Sequence, residues 1–463
     1  MPSPPTSSAT RPDITRSTPP RSAFRVELRE MVGLALPVVL AEVGWNTMGL
    51  VDTLLVGPLG PAAIGAVGFG SVVFLAVGIL GMGLLLGLDT VVAQAYGAGR
   101  LDRCREWLVQ GTYLAVFLAV PLTVGLYAVI ATLPAWGLNR EVLAIAVPYL
   151  NVLAPSVIPL VFYAAFRRYL QAINCVRPVT FALLSANVIN AVVSWMLIHG
   201  TFGLPALGAT GTAWGTLLAR IYMAAVLLAA ILMREEHGAR GLWRTSRNVD
   251  WSSFSQLLSL GVPASLQSVM EVGVFAAASA LIGRLSPASL AAHQIALNLW
   301  SFAYMLPLGL NAAGAVRVGH AVGRGDREGI RLAGWTAFAI GAALTAAAAG
   351  AFLLAGRFLI GLFSTDPAVM AIGPSLLGIA GLCLVFDGTQ SIGTGILRGL
   401  GETRIPMVTA LICYWAIGLP LGYVACFRWG WGVEGMWAGL SASLVIVAAV
   451  LLRVWHVRVA RVA

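Results

Sequence analysis

Runs of twenty or more apolar residues alternate along the chain with short stretches that carry charge, Gly or Pro. About 20 apolar residues cross a bilayer as one helix. The pattern therefore predicts twelve spans, near 32–56, 63–90, 107–132, 142–166, 178–198, 208–233, 254–282, 288–316, 332–355, 367–395, 405–427 and 433–455. Two charge-free stretches exceed one span: 178–219 breaks at GTFGLPALG, and 53–88 runs on through GPLGP, each with turn chemistry at the break. Residues 1–30 are rich in Pro, Ser, Thr and Arg and lack the apolar core of a signal peptide, so they read as a disordered or amphipathic tail.

Composition agrees with the pattern and excludes a soluble protein. Of 463 residues, 59% are hydrophobic and 10% charged, against about 25% charged in soluble domains. All 29 basic residues are arginine, and the formal net charge is +10. Placed on the twelve spans, 24 of the arginines fall on one face, against Arg140, Arg284, Arg357 and Arg428 on the other, with Arg220 inside a span. The positive-inside bias then puts both termini in the cytoplasm and accounts for the charge with no nucleic-acid partner. Cys104, Cys175, Cys383, Cys413 and Cys426 are scattered and show no CxxC spacing, so neither a disulfide framework nor a metal site is expected. The chain has no GxxxxGK[ST], HExxH or GxSxG. ATP-driven transport and common hydrolase chemistry have no support, the protein is not expected to be an enzyme, and energy must come from an ion gradient.

An internal repeat organises the spans. A shift of 226 residues superposes LALPVVLAEV…GPLGPAAIGA…QAYGAG on LGVPASLQSV…GRLSPASLAA…HAVGRG, and GATGTAWG at 208 pairs with GVEGMWAG at 432. Six spans per half is an even number, so both halves start on the same side and are related by an axis along the membrane normal. The expected fold is an all-α polytopic membrane protein of twelve transmembrane helices in two six-helix lobes with pseudo-two-fold symmetry. Its segments are a tail at 1–30, an N-lobe at 31–233, a cytoplasmic linker at 234–252, a C-lobe at 253–456 and a C-terminal tail at 457–463.

Five acids sit within or beside spans: Glu42, Asp52, Asp89, Glu271 and Asp387. A charge at membrane depth costs several kcal/mol, so such a group faces the bundle interior and marks a pathway, or pairs with a neighbouring helix. Glu42 and Asp89 lie nearer span ends, where simple pairing is expected. Asp52 corresponds in the repeat to Ala278 and Glu271 to Trp45, while Asp387 falls near Leu160, so the fold does not demand a carboxylate at these places. Position 45 precedes 52 by seven residues, about two helical turns, which puts Asp52 and Glu271 on one stripe of equivalent helices. Carboxylates there suit three tasks: carrying a proton, coordinating Na⁺, or holding an organic cation. Candidate oxygen partners of Asp52 are Asn190, Ser194 and Thr216, which serve equally as polar contacts between helices. His293 titrates in principle, yet a lone intramembrane His is more often a packing residue, and no Trp or Phe is assigned a ligand role.

Several segments carry a family resemblance. Pro37, Asp52, Thr53, Gly57, Leu59 and Gly60 of the first span, QAYGAG at 94–99, AAHQIALNLW at 291–300, VGHAVGRGD at 318–326 and ILRGLGETRIP at 396–406 resemble the multidrug and toxic compound extrusion (MATE) family over nearly all of 32–455. The resemblance implies export of cationic or amphipathic organic compounds in exchange for H⁺ or Na⁺ by rocking lobes. Asp52 is similar to the first-span coupling acid, and Glu271 and Asp387 resemble the seventh- and tenth-span acids of the NorM-type branch, a candidate Na⁺ site. That favours NorM over the DinF type. Where some members carry Asp four residues after the fifth-span Asn, this chain has Ser194 after Asn190, so an N-lobe Na⁺ site is not carried over.

The resulting expectation is a monomeric multidrug antiporter of a bacterial inner membrane, with no cofactor beyond the coupling ion and partners limited to organic cations and lipid. The alternatives are a metabolite exporter, or a flippase of lipid-linked saccharides, which would want a basic cavity where only Arg220 lies within a span. A channel is disfavoured because no ring of like residues is present.

Overall fold

The computed structural model describes residues 20–137, 139–237, 245 and 248–462. Among these, twelve helices are long and apolar enough to cross a membrane: α1 Ala23–Leu59, α2 Pro61–Gly97, α3 Leu101–Trp136, α4 Arg140–Ala172, α5 Arg177–His199, α6 Thr210–Arg234, α7 Trp251–Ile282, α8 Pro287–Arg324, α9 Arg327–Gly361, α10 Pro367–Gly399, α11 Arg404–Arg428 and α12 Gly432–Arg461. The expected number of spans is met, and the protein is a multi-pass membrane protein.

Most helices outrun the expected apolar runs. Their starts are fixed by caps in the connectors: Asn139, Asp250, Ser286, Asp326 and Asp366 each accept a backbone N–H of the first turn, and Pro287 and Pro367 follow their caps directly. A capped turn can begin before the chain enters an apolar environment, which a hydropathy pattern does not register. Residues 20–30 are also helical and continue into α1, and 457–461 extend α12, where tails were expected. The rest of the N-terminal tail, residues 1–19, and linker residues 238–244, 246 and 247 lie outside the described residues. Inside the spans, α4 tightens to a 3₁₀ turn at Ala154–Ser156, around Pro155, and α11 widens to π-helical turns at Leu411–Gly418 and Val424–Arg428.

Buried apolar side chains form two clusters. One draws on Ala41 to Leu257; the other draws on α7–α12 together with Met31, Leu34, Ala35, Val38 and Val176. The first turns of α1 thus pack into the core of the second half, so the boundary between cores does not fall cleanly in the linker. The reason is an interlock at the bundle face that carries both chain ends. There Arg317 of α8 binds Glu27 of α1 at 2.5 Å, Ser265 of α7 donates to Leu80 O at 2.9 Å, and Gln94 of α2 donates to Gly399 O at 3.0 Å. Among the described residues, no hydrogen bond runs from positions 47–79 to the second half. The hydrogen bonds between the two halves concentrate toward the terminal face, and Asn46 to Met305 Sδ at 3.0 Å lies deeper in the bundle.

Candidate functional site

Asp52 lies two turns from the end of α1 and is buried, 6% exposed. Thr216 of α6 donates its hydroxyl to Asp52 Oδ2 at 2.9 Å, and Asn190 of α5 donates to Thr216 Oγ1 at 3.2 Å. Asp52 Oδ1, Asn190 Oδ1 and Ser194 Oγ are buried with no hydrogen-bond partner. The three candidate partners named from the sequence therefore gather around the carboxylate. A buried acceptor without a partner costs about 1–3 kcal/mol, and the Ser194 hydroxyl and Asn190 amide stand close enough to Asp52 to act on its carboxyl.

The second pocket joins α7, α8 and α10. Tyr304 donates to Glu271 Oε1 at 3.2 Å, while the Gln390 amide donates to Glu271 Oε1 at 3.3 Å and to Asp387 Oδ1 at 3.0 Å. One amide thus bridges two carboxylates, which places Glu271 and Asp387 in a single site. Asp387 is fully buried, and its Oδ2 and Gln390 Oε1 have no partner. Sequence reasoning missed Gln390 and Tyr304. The signal for Gln390 was available: it stands three residues after Asp387, one turn along the same helix face.

Glu42, Asp89 and His293 have partners of their own. Arg167 pairs with Glu42 within the first half. Asp89 Oδ2 lies 3.2 Å from Arg168 and 3.5 Å from Arg398, so this acid ties the end of α10 to α2. Trp437 Nε1 donates to His293 Nδ1 at 3.0 Å, which leaves the proton on Nε2, facing Ser279 Oγ at 2.7 Å. An indole N–H only donates, so both ring nitrogens are satisfied in one neutral tautomer, as expected of a packing residue.

One cavity, about 840 Å³, lies apart from all three acids. It is a groove with α4 as floor and α3 and α6 as walls, lined by groups such as Leu108, Pro159, Phe162, Ile221 and Leu228. No charged side chain lines this groove.

The MatE family profile matches residues 37–196 and 263–424, two segments that begin 226 residues apart, the offset of the internal repeat. The chain belongs to the MatE family. Curated relatives at this level are probable multidrug resistance proteins NorM: that of Mesorhizobium japonicum is 36% identical over 443 residues, covering 94% of this chain and 95% of the relative, and that of Burkholderia mallei is 36% identical over 434, covering 91% of each. The resemblance to the NorM type read from the motifs is thereby supported across the chain. Among solved structures, the eukaryotic MATE transporter AtDTX14 aligns with a TM-score of 0.84 at 21% identity, covering 95% of this chain and 98% of that one. A multidrug resistance MATE family transporter in an outward-facing conformation aligns with a TM-score of 0.85 at 20% identity, covering 94% and 96%. At such identity the structures establish the MATE fold for this chain and nothing about its ligands.

Proposed function

We propose that the protein is a secondary antiporter that expels cationic or amphipathic organic compounds from the cytoplasm in exchange for H⁺ or Na⁺. The observation that carries this reading is a buried carboxylate pocket in each half, each with unpartnered oxygens. Relatives named as multidrug resistance proteins support the substrate class. The arginine distribution supports cytoplasmic termini in a bacterial inner membrane. Hydrogen bonds between the halves gathered toward the terminal face support a state closed toward the cytoplasm. In the cycle, the ion enters from outside, binds Asp52 or the Glu271/Asp387 pair and weakens substrate binding there. Substrate from the cytoplasm binds when the ion has left. Reciprocal linkage makes each ligand weaken the other by the same factor.

The test uses purified protein in liposomes with ethidium, imposing a pH gradient and a Na⁺ gradient separately. Transport driven by at least one gradient is expected; if neither moves ethidium, drug efflux fails and a saccharide-lipid flippase becomes the reading to pursue. A second expectation concerns the α7–α10 pocket. Glu271→Gln combined with Asp387→Asn should lower the response to ion, or the affinity for ethidium, by about tenfold or more, since each substitution removes a charge from a site away from bulk water. Wild-type titration curves for the double variant would make these structural acids.

A further inference from the structure

Asp89 is shared by two guanidinia that come from opposite halves. Its Oδ2 lies 3.2 Å from Arg168 of α4, in its own half, and 3.5 Å from Arg398 of α10, in the other. All three groups are withdrawn from solvent: the side chain of Asp89 is 1% exposed, that of Arg398 4% and that of Arg168 16%. Splitting a buried ion pair is costly because it leaves a bare charge behind. Here each member of the pair between the halves keeps a second partner at home. Asp89 has Arg168, whose neighbour Arg167 is already taken by Glu42. Arg398 donates to Asn311 Oδ1 at 2.8 Å, and Asn311 is itself held by donating to Ser391 O at 2.6 Å, on the same helix as Arg398. When the halves part, Asp89 stays with Arg168 and Arg398 with Asn311.

The two arginines on that one oxygen then act in opposite directions. Arg398 attracts Asp89 across the boundary only while the face is closed, so it holds the face shut. Arg168 contacts Asp89 in both states, but its contribution differs between them. In the closed state the carboxylate is already neutralised by Arg398, and the two guanidinia are near enough to repel each other. In the open state Arg168 is the partner that remains, and the repulsion is gone. Arg168 therefore contributes more to the open state, and a contact that differs between two states shifts their equilibrium by that difference.

We propose that Asp89, Arg398 and Arg168 form a charge latch in which Arg398 closes the terminal face and Arg168 favours its opening. The proposal rests on the reading that this face opens to admit substrate, but its test requires no transport. Leu257 of α7 is fully buried and packs into the core of the first half. In the purified full chain without its native cysteines, Leu257→Cys is modified by a maleimide when the face opens, at a rate set by the open population however small. Adding Arg398→Gln should raise that rate by about tenfold or more, and adding Arg168→Gln instead should lower it by a similar factor. Were Arg168 only a packing charge, its loss would loosen the face and speed the reaction. Asp89→Asn, which leaves two guanidinia facing each other, should also raise the rate, and Arg168→Gln placed on top of Asp89→Asn should bring it down again, a comparison that serves even if Arg168→Gln alone fails to fold. Arg168→Gln that speeds modification or leaves it unchanged would overturn the proposal, as would Asp89→Asn at the wild-type rate. Failure of ethidium transport under every gradient in the unmodified protein would instead overturn the antiport reading.

Discussion

Asp52→Asn should reduce gradient-driven ethidium export to the level of empty liposomes, while the protein inserts, purifies as a single species and keeps its melting temperature to within a few degrees. The amide has the size of the carboxyl and retains an oxygen to accept from Thr216, whose hydroxyl now meets Asp52 Oδ2 at 2.9 Å. Removing the charge also relieves the cost of a carboxylate at this depth, about 2.5–3.5 kcal/mol for an acid at a helix centre. Stability is therefore expected to hold or rise, and a change of about 1 kcal/mol moves the midpoint of a chain this long by only a few degrees. Function has no such relief. An amide neither takes up nor releases a proton, so the first pocket no longer changes state when the driving ion arrives, and the linkage between ion and substrate is lost. Substrate binding without a gradient, measured by ethidium fluorescence, should persist, because only the coupling is removed. Export by Asp52→Asn at the wild-type rate would move the coupling entirely to Glu271 and Asp387.

The architecture was legible because a lipid-facing helix must be apolar for about 20 residues, and the chain obeys this twelve times. The helix ends were less legible: Asp250 and Asp326 start helices through caps that belong to polar connectors. The first pocket could be read because Asp52, Asn190, Ser194 and Thr216 are polar groups in three largely apolar spans. The second was read only in its charges. Gln390 and Tyr304 act through the geometry of α7 against α8 and α10, which periodicity along one helix does not specify. For the same reason Glu27 was assigned to the N-terminal tail and Met31 to the N-lobe, whereas their packing partners, Arg317 among them, lie in the second half.

That interlock yields the other large effect. Gly97→Ala or Gly323→Ala should cut ethidium export by about tenfold or more and shift the protein toward a state open at the terminal face. On α8, Gly319 and Gly323 are four residues apart and face Ala93 and the Gln94 and Ala98 backbone, while Gly97 of α2 faces His320, a small-residue crossing that lets backbones touch. A Cβ at Gly97 would stand 2.2 Å from His320 O and 2.7 Å from His320 Cα; one at Gly323 would stand 2.0 Å from Gln94 O and 2.7 Å from Ala98 N. These neighbours are main-chain atoms in helices, and no rotamer change clears them. The helices must separate, and the hydrogen bonds around the crossing have no slack to follow: Thr90 Oγ1 to Arg398 O at 2.7 Å and His320 Nε2 to Ala172 O at 2.7 Å. Overpacking of this kind costs about 1–3 kcal/mol, and 1.4 kcal/mol is about tenfold in population. The cost falls only on the closed face, since the added methyl meets nothing once α2 and α8 part, and a ligand-free equilibrium moves by the difference between its two states. Spin labels at Leu101→Cys and Glu328→Cys, both exposed beside the crossing, in a background without the native cysteines, should report longer distances in either variant. Gly350→Ala, where a Cβ meets no atom within 4 Å, should keep both the wild-type distance and the wild-type rate. If Gly97→Ala and Gly323→Ala match that control, the α2–α8 crossing is not the contact that closes the terminal face.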